Sequence, residues 1–198
     1  MPQYLDVPFS EKDQAKALGA RWDGQTKQWF VPDGIPVQPF QKWLPQTPEL
    51  HSRLIAPLYL RTSYERCWRC SEVSRVYCLG ATAINDVQRD DDGEPFSSLI
   101  DNEDGLVDVC DLDHIDQRLL PVLKKYAPTY HPDFSKTKNA KCWMNHCEHC
   151  GAKLGDFFLH NEPGGAFCPI SDEESTITDT LLFEDGEFFF DGGFGLKG

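Results

Sequence analysis

Cys67-Trp68-Arg69-Cys70 and Cys147-Glu148-His149-Cys150 decide how the larger part of this chain is held together. Each C-x-x-C places two sulfurs on one tight turn, at a separation that spans two vertices of a tetrahedron. A single pair is ambiguous between metal binding and redox chemistry. Two pairs point to four thiolates around one Zn2+, with Zn–S near about 2.3 Å. Gly151 follows Cys150 directly, where a missing Cβ relieves the crowding as backbone amides turn toward a sulfur. The 76 residues between Cys70 and Cys147 exceed a compact zinc ribbon. One site carrying a long insertion is therefore expected.

Four protein ligands leave no open position for water, so the expected ion is single and structural, not catalytic. The competing readings are a redox dithiol, for which neither motif has the strand-to-helix setting, and simple buried thiols. His146 or His149 could replace a cysteine, and Cys142 lies close by in sequence. A supporting or surface role is the simpler reading for all three. Cys78 and Cys110 sit in apolar strand-like runs and read as core thiols. Cys168 has no assignment.

Around these motifs the chain is ordinary in size and acidic. It has 198 residues, 40% of them hydrophobic, and a formal net charge of −13. No apolar run reaches the roughly 18 residues of a membrane-spanning helix. Met1-Pro-Gln-Tyr-Leu-Asp-Val-Pro8 has no signal-peptide pattern. A cytoplasmic location is expected, where cysteines are kept reduced. The charge is uneven: residues 1–45 hold five basic and five acidic side chains, residues 143–198 two basic against eleven acidic. Counterion release drives most nucleic-acid binding, so any such surface must be local and away from the C-terminal part.

Residues 1–47 read as a small unit. Tyr4–Val7 suggests a strand, Ser10 an N-cap, and Lys12–Leu18 a helix closed by Gly19. Asp23-Gly24-Gln25-Thr26 reads as the turn of a hairpin between Trp22 and Trp29. A short helix with Val37, Phe40 and Leu44 on one face would follow, then a linker at Pro45–Pro48. The expected fold class is α+β: a β-α-β-β module, then a zinc-ribbon domain over residues 48–198. The insertion (about residues 80–140) should hold an exposed acidic loop at Asp86–Asp104, a helix at Ile115–Tyr126 despite Pro121, and a loop at Pro128–Lys141. Short strands are expected at Gly155–Leu159 and Ala166–Phe167. Asp185-Gly186 between apolar runs signals a C-terminal hairpin.

Lys12-Asp13-x-Ala15-Lys16-x-Leu18-Gly19-Ala20-Arg21-Trp22-Asp23 and Lys27-x-Trp29-x-Val31-Pro32 closely resemble a small domain of unknown function. That domain occurs in plasmid conjugation primases and other mobile-element proteins. The Trp-Asp…Lys-x-Trp pattern is also similar, more distantly, to the HARP module of annealing helicases. The resemblance implies an accessory role near DNA, in recognition instead of catalysis. Asn145-His146-Cys147-x-x-Cys150-Gly151 and Gly155-Asp156-Phe157-x-Leu159-His160 resemble uncharacterised bacterial zinc-ribbon proteins, a likeness that implies no activity.

Lys16, Arg21 and Lys27 could meet phosphates while Trp22 or Trp29 stacks on an unpaired base of single-stranded or junction DNA. Such a small module also needs at least one tryptophan in its core. Arg61, Arg66, Arg69 and Arg75 with Trp68 form a second candidate surface. The other function class is a protein-binding adaptor or inhibitor, using Phe183, Phe188, Phe189 and Phe190 on the acidic hairpin. Asp111-Leu-Asp113-His114 and Asp156 with His160 could be read as acid–base or metal groups. No nucleophile motif or phosphate loop accompanies them, and a non-enzymatic protein is expected.

Overall fold

The computed structural model describes residues 3–44, 51–102, 105–171 and 175–195. The expected linker at Pro45–Pro48 lies outside them.

The N-terminal module is the expected β-α-β-β unit. Strands β1 (Gln3–Leu5), β2 (Arg21–Asp23) and β3 (Gln28–Val31) form an antiparallel sheet in the order β1-β3-β2, with helix α1 (Lys12–Ala17) between β1 and β2. Gly19 ends α1 at φ +103°, where only glycine is unstrained. Ser10 does not cap the helix: it lies in a 3-10 turn, Phe9–Glu11, that runs straight into α1. The β2–β3 turn is held by Asp23, whose Oδ1 accepts from the amides of Gln25 and Thr26. A 3-10 turn at Gln38–Trp43 replaces the expected short helix and buries Phe40 and Trp43. Trp43 thereby supplies the tryptophan that this small core needs, packing with Leu5, Ala15, Ala20 and Val31.

The larger part is a barrel of long antiparallel strands. Strand β4 (Ser52–Arg66) pairs with β5 (Val73–Arg89) along most of its length. Next along the chain come β6 (Pro95–Asp101) and β7 (Val107–Ile115). Both lie antiparallel on the same edge of β5, so they act as one interrupted strand. The last strands, β11 (Thr178–Phe183) and β12 (Glu187–Gly195), do the same on β4. Leu181 faces Tyr59 and Glu187 faces Ile55, so the chain passes Asp185-Gly186 without reversing. The expected C-terminal hairpin is instead two strands in line on β4, interrupted at residues 184–186. Pairing of β12 with β7 closes the ring β4-β5-β7-β12.

The segment between β7 and β11 covers the barrel and brings in the second cysteine pair. Asp116 accepts from the Arg118 amide and starts a 3-10 turn that leads into α2 (Leu120–Tyr126). Pro121 thus falls in the first turn, where its missing N–H costs nothing. Strands β8 (Tyr130–Ser135), β9 (Ala140–His146) and β10 (Lys153–Leu154) then form a second antiparallel sheet, followed by α3 (Asp156–His160). The insertion between the knuckles is therefore mostly strand, not helical. Asp86–Asp101 is a β5–β6 hairpin instead of a loop, and residues 128–141 contain β8 and the start of β9. The strand expected around Phe157 is helical, and Ala166–Phe167 lies outside any strand.

Strand β5 is buried on both faces and separates two cores. Tyr77, Leu79 and Ala81 point into the barrel core with Leu54, Leu58, Leu112, Leu123 and Phe190. Val76 and Cys78 point the other way, into a cluster with Cys67, Cys147, Leu154, Leu159 and Phe167. The alternation of side chains along one strand thus ties the cysteine site to the barrel.

Candidate metal centre and the adjoining cleft

The first cysteine pair forms the β4–β5 turn, and the second forms the β9–β10 turn. The two turns repeat each other. Cys67 carbonyl accepts from the Ser71 amide and its N–H donates to Glu72; Cys147 does the same with Gly151 and Ala152. Ser71 and Gly151, each directly after its second cysteine, both take positive φ, at 64° and 68°. The four sulfurs lie within 4.8 Å of one another, with Cys67–Cys150 and Cys70–Cys147 both at 3.6 Å. A tetrahedral ion with M–S of about 2.3 Å sets its sulfurs roughly 3.8 Å apart, so these residues fit a metal ion.

Electrostatics favour a cation there. The Cys70 amide, aided by that of Arg69, pulls the Cys67 thiol down to about 6 against the effect of burial. Cys70 goes the other way, to about 12: the Glu72 amide lowers it, but burial and the neighbouring sulfurs outweigh that. Four thiolates this close repel one another unless positive charge sits between them.

The flanks of the second knuckle are bound into the fold. Asn145 is fully buried, and its carboxamide pairs with both the N–H and the C=O of Tyr77, at 2.8 and 2.9 Å. This serves a stretch of β5 that β6 and β7 leave unpaired. His146 lies against Thr129 carbonyl at 3.1 Å and Asp133 Oδ2 at 3.1 Å, with its ring stacked on His131. The same Asp133 oxygen accepts from Lys27 Nζ at 3.0 Å, and Lys153 Nζ stands 3.3 Å from the other oxygen. Against burial, which raises it, Lys27, the Phe134 amide and His146 hold the Asp133 carboxyl well below the ordinary range. His146 thus supports the knuckle from outside the cysteine set. His149, on the surface, lies 3.0 Å from Val73 carbonyl.

Lys27 belongs to the N-terminal module, and so do the other groups that dock it. Asp23 Oδ2 accepts from Tyr4 Oη within the module and from Lys124 Nζ of α2, at 3.1 and 2.6 Å. Tyr4 itself is part of the barrel core. Between module and barrel runs a cleft of about 670 Å3. The module contributes Phe9, Lys12, Trp22, Lys27, Gln28 and Trp29; the barrel side contributes His51, Asp113, His114, Lys141, Trp143 and Phe189. Trp22 is 50% exposed and meets Trp29 edge to face at 5.7 Å. Lys141 Nζ stands 6.0 Å from the Trp22 ring centre. Three lysines line the cleft against two carboxylates, Asp6 and Asp113, a local positive balance in a strongly acidic chain.

Residues 3–45 match the family described as a domain of unknown function, DUF5710. Two relatives, each called DNA primase TraC, from Escherichia coli, are 62% identical over 40 residues and 58% identical over 41. These stretches are 20% and 21% of this chain but 4% and 3% of the relatives, so the chain spans only a small part of their length. No solved structure matches the chain.

Within the DUF5710 segment, Trp22, Lys27 and Trp29 line the cleft as a group, whereas Lys16 and Arg21 are exposed elsewhere. Lys12 and Lys141 line the cleft with the first group, and sequence reasoning singled out neither. Lys12 sits within the DUF5710 motif itself. Lys141 is brought in from β9 by long-range packing and has no local signal. The second candidate surface is largely committed to the fold. Arg61 is held by Asp108 at 2.5 Å and Asp179 at 2.8 Å, and Arg75 by Glu148. Trp68 remains 74% exposed at the knuckle tip. The phenylalanines assigned to a partner surface are mostly internal. Phe188 and Phe190 are buried, Phe183 packs on the barrel core, and Phe189 stacks on His51 in the cleft. Among the described residues, no helix is long and apolar enough to cross a membrane.

Proposed function

We propose that this chain is a zinc-stabilised, non-enzymatic accessory protein that binds unpaired nucleic-acid strands in the cleft between its DUF5710 segment and its barrel. The observation that carries the reading is the cleft's composition. Tryptophan faces for sequence-tolerant stacking stand beside lysines for phosphates, in a chain whose overall charge would otherwise repel a polyanion. The similarity to DNA primases supports a setting in DNA metabolism, and the mobile-element context is the one the sequence resemblance implies. Four thiolates on two knuckles, closed to further ligands, support zinc as the ion. Its role is to fasten the β4–β5 turn to the β9–β10 turn, and through Asp133 to seat Lys27 at the cleft. The adaptor reading loses most of the aromatic surface it invoked, because Phe188 and Phe190 are buried and Phe183 and Phe189 half-buried.

The test is a salt-titrated binding assay with single-stranded, forked and duplex DNA. Single-stranded or forked DNA should bind more tightly than duplex, with affinity falling as salt rises. Lys12→Ala and Lys141→Ala should each reduce the salt slope by about 0.7. Absence of binding at low salt would overturn the proposal.

A further inference from the structure

The six-stranded sheet ends in β6, which pairs from Pro95 to Asp101 with β5 from Arg89 to Ala83 without a register shift. Among the described residues, no strand pairs with the other edge of β6. Alternate residues there turn their backbone N–H and C=O groups away from β5. Natural sheets blunt such an edge with a bulge or a lysine. The edge strand at the other end of the sheet, β11, is broken by a bulge between Leu181 and Phe183, and its Asp179 is engaged by Arg61. β6 has neither a bulge nor a basic residue, and its one proline stands at the first position. It exposes an apolar side chain on each face: Leu99, 64% exposed, on one and Phe96, 46% exposed, on the other.

Charge decides what fits this edge. Residues 86–104 hold eight acidic side chains and one basic, Arg89, whose guanidinium donates to the Gly93 carbonyl. A second copy of the chain, paired antiparallel about Ser98, would bring the Asp101 end of each β6 against the acidic Asp90–Glu94 turn of the other. Like charges would then meet at both ends. An extended basic segment meets the opposite sign there instead. We propose that β6 is a docking edge for a protein partner, which adds a segment of alternating apolar and basic residues as one more strand. Backbone hydrogen bonds hold the segment, Phe96 and Leu99 meet its apolar side chains, and the acidic ends of the hairpin meet its lysines or arginines. No residue of β6 lines the cleft, so this site does not depend on what the cleft binds.

The probe is a short fluorescent peptide of alternating lysine and valine, titrated against the full chain. One control is the same peptide N-methylated at adjacent central amides, which blocks strand pairing on either side; the other alternates glutamate and valine. The lysine peptide should bind at least about tenfold more tightly than its N-methylated form, the worth of a few backbone hydrogen bonds. The glutamate peptide should not bind. Amide hydrogen exchange should slow within residues 96–101 when the lysine peptide is bound. Leu99→Lys, at an exposed side chain, should lower its affinity at least about tenfold. Asp91→Asn together with Asp92→Asn should weaken the salt dependence of binding. Equal binding of the N-methylated peptide, or protection that falls outside residues 96–101, would reduce the effect to charge attraction and overturn the proposal. Absence of binding at low salt would overturn it as well. A wild-type dimer in analytical ultracentrifugation that Leu99→Lys converts to monomer would assign the edge to a second copy and overturn the basic partner.

Discussion

Lys27 of the N-terminal module and His146, the residue before Cys147, share one oxygen of Asp133, at 3.0 and 3.1 Å. A hairpin from one end of the chain is thereby held to the knuckle that carries half of the candidate metal-binding cysteines.

Removing that carboxylate should loosen the docking of the module. Asp133→Ala removes the carboxylate shared by His146, Lys27 and Lys153, at a cost of roughly 2–3 kcal/mol, measurable by urea denaturation. Because the Asp133 carboxyl is held below its unfolded value, its stabilisation is full above pH of about 4 and is lost as pH falls further. Asp133→Asn should therefore flatten the acid limb of the stability profile. An unchanged acid limb would show that Asp133 is not coupled to folding.

Asn145 bridges the barrel and the β8–β9–β10 sheet with two hydrogen bonds from a fully buried carboxamide. Asn145→Ala should destabilise the protein by about 2–4 kcal/mol, since both Tyr77 backbone groups lose their partner inside the core. Asn145→Asp should be at least as harmful, because it removes the donor and adds a buried charge. Thermal melts of both variants check this.

The knuckles and the N-terminal module were legible because their signals are local. Cysteine spacing is sufficient for the four-cysteine cluster, and Gly19, Asp23 and the tryptophan spacing suffice for the module. The barrel was not. Asp185-Gly186 carries the chemistry of a hairpin turn, but β11 and β12 both find the same edge of β4. That long-range pairing outweighs the local signal. Gly155–Leu159 is five residues long, too short for periodicity to separate strand from helix. The cleft was half legible: Trp22, Lys27 and Trp29 share one hairpin, whereas His51, Lys141 and Phe189 arrive from distant strands.

Asp156, at the start of α3, accepts from the Asp111 amide at 2.8 Å. Burial and the nearby Asp111 carboxylate nonetheless push its own carboxyl up to about 7. With a folded value above the unfolded one, it favours folding at low pH. That contribution disappears as pH rises from about 4 to about 7. Asp156→Asn should make stability independent of this group and stabilise the protein above pH 7 by about 1–2 kcal/mol after solvent screening. A variant that is no more stable than wild type at pH 8 would contradict the assignment.

The cysteine site predicts one zinc per chain by atomic emission. Cys67→Ser, Cys70→Ser, Cys147→Ser and Cys150→Ser should each lower the zinc content severely, whereas Cys78→Ser and Cys110→Ser should retain it. Chelation should reduce thermal stability, because metal binding is coupled to folding. Retention of zinc by any of the four knuckle variants would mean that His146, His149 or Cys142 completes the site.

Photocross-linking with a single-stranded oligonucleotide carrying 5-iodouracil tests the cleft most directly, because the probe couples to aromatic side chains that it stacks on. Mass spectrometry of the tryptic digest should place the cross-link on Trp22 or Trp29. Trp22→Ala together with Trp29→Ala should abolish it. A cross-link that maps to Trp68 at the knuckle tip, or that persists without Trp22 and Trp29, would contradict the assignment of nucleic-acid binding to the cleft.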